Sequence, residues 1–141
     1  MPPTDDLGPL ALIVEDNPVN MTLTRAVLKR AGYRTEEASS AEQAIQRLRE
    51  VKPELILMDL QLPGEDGLSL TQRLKADPAT AHIAIIALTA YAMKHDRALA
   101  EAAGCDGYIS KPLNTRTFSG EVAAILNSRR PSWSAPGPPA T

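Results

Sequence analysis

Short apolar runs separated by amphipathic stretches set the rhythm of this chain: Leu10–Val14, Leu55–Met58, Ile83–Leu88 and Gly107–Ser110, with a weaker run over Tyr33–Ala38. They are too short for helices and too continuously apolar for strands with one wet face. They therefore predict strands of a parallel sheet covered on both sides. The intervening stretches predict the covers. Asn17-Pro18 supplies a cap residue and a proline at the first helical position, Leu23, Val27 and Leu28 share one face, and Gly32 stops the helix. Ser40-Ala-Glu-Gln43 is a capping box, and the apolar stripe of Ala44, Ile45, Leu48 and Val51 continues until Pro53. Leu70 and Leu74 mark a third helix, Met93–Ala103 a fourth ending at Gly104, and Phe118, Val122, Ile125 and Leu126 a fifth. The βα unit thus repeats five times. With right-handed crossovers this predicts an α/β fold, a doubly wound five-stranded parallel sheet with five helices, flavodoxin-like, because five units are too few to close a barrel of eight.

Seven of the twelve prolines fall in residues 1–9 and 128–141, and the last stretch has no apolar periodicity. A domain over 10–127 is expected between a flexible N-terminal tail (1–9) and a disordered Pro-rich tail (128–141) that includes Trp133. The 141 residues suit one domain, and 43% hydrophobic against 23% charged residues is enough apolar material for a core. A net charge of −2 with no Lys/Arg block offers no footprint for DNA or an anionic membrane. Cys105 is the sole cysteine, so an internal disulfide is ruled out and a reducing compartment, the cytoplasm, is expected. The acidic start and the lack of an apolar run near ~20 residues predict neither secretion nor membrane insertion.

In an open α/β sheet the binding site lies at the carboxyl ends of the strands. There the first run ends in Glu15-Asp16, the third in Asp59, the fourth in Thr89-Ala90 and the fifth in Lys111-Pro112. Each alone reads as a cap, a strand end or a solvated charge. Together they do not, because like charges near 4 Å repel by about 4 kcal/mol per pair at an effective dielectric near 20, and one lysine cannot offset three carboxylates. A cation is called for. Oxygen ligands without His or Cys specify a hard one, and few protein ligands suit Mg²⁺ better than Ca²⁺. A metal beside a carboxylate, with a lysine and a hydroxyl opposite, is equipment for phosphoryl transfer, in which an Asp can be the nucleophile. Asp59 follows the central run and is held by the turn Leu60-Gln-Leu-Pro-Gly64, so it is the expected nucleophile. Asp16 then binds metal, and Glu15 supports it through water or Lys111.

Glu15-Asp16-Asn17, Met58-Asp59-Leu60-Gln61-Leu62-Pro63-Gly64, Leu88-Thr89-Ala90 and Lys111-Pro112-Leu113, in this order and spacing, resemble the receiver domain of bacterial two-component response regulators. The resemblance spans roughly residues 10–127, and the stretches Glu15–Asn20 and Leu88–Met93 resemble those of stand-alone receivers and of receivers attached to hybrid kinases. It implies a phosphoacceptor at Asp59, Mg²⁺ held by Asp16, Asp59 and the Gln61 backbone carbonyl, and Thr89 and Lys111 on the phosphoryl group. It also implies an aromatic switch at Tyr108, paired with Thr89, and a cis peptide before Pro112. The donor it implies is a phosphohistidine of a sensor histidine kinase or histidine phosphotransfer protein. Output would pass through protein contacts of the fourth helix, fifth strand and fifth helix, without turnover of a separate substrate. Two other readings of such a fold fare worse. A haloacid-dehalogenase-type phosphatase needs a second Asp where Gln61 stands. A flavodoxin-like FMN carrier needs a phosphate loop where Glu15-Asp16 would repel the phosphate. His82 and His95 show no ligand spacing.

Overall fold

A computed structural model describes residues 8–60, 67–89, 94–110, 113–114 and 116–134. Five strands, β1 (Leu10–Val14), β2 (Arg34–Ala38), β3 (Leu55–Asp59), β4 (Ala84–Thr89) and β5 (Gly107–Ser110), alternate with five helices. The helices are α1 (Pro18–Arg30), α2 (Ala41–Glu50), α3 (Gly67–Ala76), α4 (Lys94–Ala103) and α5 (Phe118–Ser134). All strands pair in parallel in the order β2-β1-β3-β4-β5. The chain therefore starts near the middle of the sheet and winds first one way and then the other.

Burial follows that order. Every residue of β1, β3 and β4 is buried, whereas the edge strands β2 and β5 are only partly so. The core has two layers. Ile13, Leu57, Ile86 and Ile109 pack on α1 and α5 through Val27, Leu28, Phe118 and Val122. Leu12, Val14, Ile56, Met58 and Ile85 pack on α2 and α3 through Ala44, Leu48, Leu70 and Leu74. Successive strand residues alternate between the layers, as the two-residue period requires. The edge strand β2 carries Glu36 and Glu37, which pair with Arg47 and Arg25. Charges on this strand discourage pairing with a foreign strand.

The helix ends are made by the expected residues. The Asn17 side chain accepts from the Val19 and Asn20 N–H groups at 2.9 and 3.0 Å, and Pro18 opens α1. Gly32 takes φ +96° just past the end of α1, where the Tyr33 N–H reaches the Leu28 carbonyl and the Gly32 N–H the Lys29 carbonyl. A left-handed residue with these two bonds is a Schellman stop. At α2, Ser40 Oγ accepts from the Gln43 N–H, while Gln43 Oε1 accepts from the N–H and hydroxyl of Ser39, one residue ahead of the cap. One boundary differs from expectation. The α5 backbone stays helical to Ser134, past the boundary expected at 127. Apolar periodicity ends at Leu126, but an existing helix extends at one hydrogen bond per residue with no new nucleus.

Candidate functional site

The sheet delivers the site by register. Val14 stands beside Met58 and Asp59 beside Leu88, so the residues following β1, ending β3 and ending β4 reach the same edge. Glu15 and Asp59 are buried, at 1% and 3% exposure, and Asp16 is exposed. One carboxylate oxygen from each of the three lies within 4.8 Å of the others. At that separation each pair of ionised groups repels by about 3 kcal/mol at an effective dielectric near 20. Two local features hold the acidic group together. Glu15 Oε2 accepts the Asn17 N–H at 3.2 Å, which turns one carboxylate toward the amino end of α1 and the positive end of its dipole. The Glu15 N–H bonds the Ala38 carbonyl at 3.0 Å, so the residue after β1 stays tied to β2.

Such a donor set, oxygen only and part buried, part open to water, fits a hard divalent cation that keeps some of its own waters. The expectation that Asp16 and Asp59 would hold the metal, with Glu15 beside them, thus falls on residues the fold does bring together. Thr89 ends β4 one residue beyond the partner of Asp59 and is 5% exposed. Gln61 and Lys111 lie outside the described residues, as does the peptide before Pro112.

Tyr108 stands on β5 opposite Ala87, and Thr89 follows two residues along β4 opposite Ser110. Ala87, Thr89 and Tyr108 therefore project to the same side of the sheet. Tyr108 is half-buried and borders a cavity of about 210 Å³ shared with Ala100, Glu101 and Cys105.

One site residue escapes sequence reasoning. The Gly67 N–H bonds the Leu60 carbonyl at 3.3 Å, and a Cβ at Gly67 would lie 2.4 Å from the Asp59 carbonyl oxygen and 2.9 Å from Leu60 Cα. Only a residue without a side chain lets α3 begin so close to the backbone that carries Asp59. Its signal is a glycine directly ahead of the apolar Leu68 and Leu70.

Comparison with known proteins places this geometry. The response regulator receiver domain family matches residues 11–123. The polar-differentiation response regulator DivK of Brucella ovis is 44% identical over 115 residues, which is 82% of this chain and 94% of that protein. A putative response regulator of Chloroflexus aurantiacus superposes with a TM-score of 0.81 at 31% identity, covering 85% of this chain and 98% of the other. The receiver domain of a Pseudomonas aeruginosa sensor histidine kinase, solved with a magnesium ion coordinated in its active-site cleft, superposes with a TM-score of 0.73 at 37% identity, covering 86% and 96%.

Proposed function

Because this chain belongs to the response regulator receiver domain family and is a phosphorelay response regulator, we propose that Asp59 is its phosphoacceptor and that Glu15, Asp16 and Asp59 form its Mg²⁺ site. The observation that carries the reading is the buried Asp59 carboxylate at the end of a central strand, with oxygens of Glu15 and Asp16 within 4.8 Å. An Asp59 oxygen attacks the phosphorus of a phosphohistidine, the P–N bond breaks, and the electron pair stays on the imidazole nitrogen of the donor. Mg²⁺, when bound, neutralises the three carboxylates and draws charge from the phosphoryl oxygens. Asp16 and Asp59 would hold it through their side chains, with Glu15 steadying them and the Gln61 carbonyl as the further protein ligand. Lys111 and the Thr89 hydroxyl meet the new phosphoryl oxygens, Lys111 as a charge and Thr89 as a donor.

The phosphoryl donor is a sensor histidine kinase or a histidine phosphotransfer protein, and output passes through protein contacts of α4, β5 and α5. No described helix is long and apolar enough to cross a membrane, and a donor of this class supports a cytoplasmic location. No substrate turns over apart from the aspartyl phosphate itself. Incubation with acetyl phosphate and Mg²⁺ will add one phosphoryl group, read by intact mass, and Mg²⁺ alone will raise the melting temperature. Asp59→Asn will abolish the label and stabilise the metal-free protein. Wild-type labelling of Asp59→Asn would remove the assignment, and a melting curve indifferent to Mg²⁺ would remove the metal site.

A further inference from the structure

A groove of about 320 Å³ runs between the last turns of α2 and α3. Helices of βα units run against the strands, so their C-terminal ends lie at the amino edge of the sheet, opposite Asp59. Ile45, Leu48 and Leu74 form its apolar floor, and Arg49, Lys52 and Arg73 line its rim. Cations at helix C-termini favour the dipole, and that alone would explain one or two of them. The surrounding charges argue for more. Arg25 pairs with Glu37, Arg47 with Glu36 and Glu50, and Lys75 with Asp106, whereas no ion pair among the described residues involves Arg49 or Lys52. The one acid on the rim, Asp77, accepts the Ala79 N–H at 2.9 Å within its own turn. Arg49 and Lys52 therefore leave positive charge beside an apolar slot in a chain whose net charge is −2.

We propose that this groove docks an acidic segment of a partner protein, seating a leucine-sized side chain on Leu48 and Leu74 and setting flanking carboxylates against Arg49 and Lys52. Charge complementarity selects the occupant, and concavity separates it from a bilayer, which calls for a flat surface with a larger basic cluster. Because the groove and the acidic site lie at opposite edges of the sheet, docking here leaves Asp59 open to its phosphodonor. The surface would tether the protein independently of phosphorylation, unlike the surface of α4, β5 and α5.

The test is an NMR titration of the ¹⁵N-labelled full chain with the blocked peptide Glu-Asp-Leu-Glu-Asp-Leu. Shifts are expected at Ile45, Leu48, Arg49, Leu74 and Thr80, with equal affinity whether or not Mg²⁺ and acetyl phosphate are present. Arg49→Glu combined with Lys52→Glu, both at exposed positions, will weaken binding about tenfold or more while acetyl phosphate labelling is unchanged. Equal binding of a peptide with serine in place of leucine would show ionic attraction alone and overturn the proposal. So would shifts centred elsewhere, no shifts at millimolar peptide, or co-sedimentation with phosphatidylserine vesicles in the absence of peptide shifts.

Discussion

Asp59 owes its position to a residue eight places later that has no side chain. A Cβ on Gly67 would stand 2.4 Å from the Asp59 carbonyl oxygen, and that oxygen belongs to backbone that cannot swing aside. Gly67→Ala must push α3 and the end of β3 apart. We expect a loss of roughly 1–3 kcal/mol in urea unfolding, offset only slightly by the better helix propensity of alanine, and slower acetyl phosphate labelling. An unchanged unfolding midpoint together with an unchanged labelling rate would show that the contact relaxes freely. The contrast with Glu15, Asp16 and Asp59 explains what a sequence discloses. Each of those acids follows an apolar run, so strand patterning alone places it at the carboxyl edge. Gly67 acts through an approach of backbone to backbone, and no pattern of polar and apolar positions encodes that.

Among the elements, local signals were the readable ones. Asn17, Pro18, Gly32 and Ser40 bound their helices as expected because a cap acts within four residues of itself. What joins α3 to β4 and β5 was not readable, because its partners are 31 residues apart. Lys75 Nζ donates to the Ala81 carbonyl at 3.2 Å, the Ile83 carbonyl at 2.9 Å and Asp106 Oδ2 at 2.9 Å, which uses all three of its protons. The same Asp106 oxygen accepts the Ile85 N–H at 2.9 Å, so one clasp fixes the start of β4 and the entry to β5. Both side chains are more than four-fifths covered, at 18% and 17% exposure. Lys75→Met keeps the stem but leaves a covered carboxylate and two carbonyls without their cation, at a cost of about 2 kcal/mol in chemical denaturation. A change below about 0.5 kcal/mol would mean that water replaces the ammonium. Next to the clasp, burial pushes the Cys105 thiol up to about 11, opposed first by the hydrogen bond to Thr71 and then by Lys75, with Asp106 adding a smaller push upward. The thiol is therefore a packing group rather than a nucleophile at neutral pH.

At the scale of the molecule, the parallel sheet separates what happens at its two edges and couples what shares a face. The acids converge at the carboxyl edge, the clasp and the basic groove sit at the other, and Thr89 and Tyr108 share the side of the sheet set by Ala87. This arrangement was half legible. The doubly wound class followed from five apolar runs, but the order that places β4 between β3 and β5 depends on the helices each strand must cover, so only the structure aligns Tyr108 with Ala87. That alignment is the ground for proposing a switch at Thr89 and Tyr108. A phosphoryl group on Asp59 adds charge and acceptor oxygens to the edge, and the Thr89 hydroxyl gains by turning toward them. We propose that the Tyr108 ring, beside the small side chain of Ala87, turns inward as Thr89 departs and so changes the surface of α4, β5 and α5. Phosphate can shift this equilibrium only by its difference in affinity for the two states. Thr89→Ala should therefore still take up phosphate from acetyl phosphate but lose most of the phosphorylation-dependent shifts that wild-type protein shows at residues 98–110 in NMR spectra. Tyr108→Ala should accept phosphate and lose the same shifts. If shifts in the phosphorylated wild type stay confined to the residues around Glu15, Asp16 and Asp59, Tyr108 is a fixed wall of its cavity and the edge sends no signal across this face.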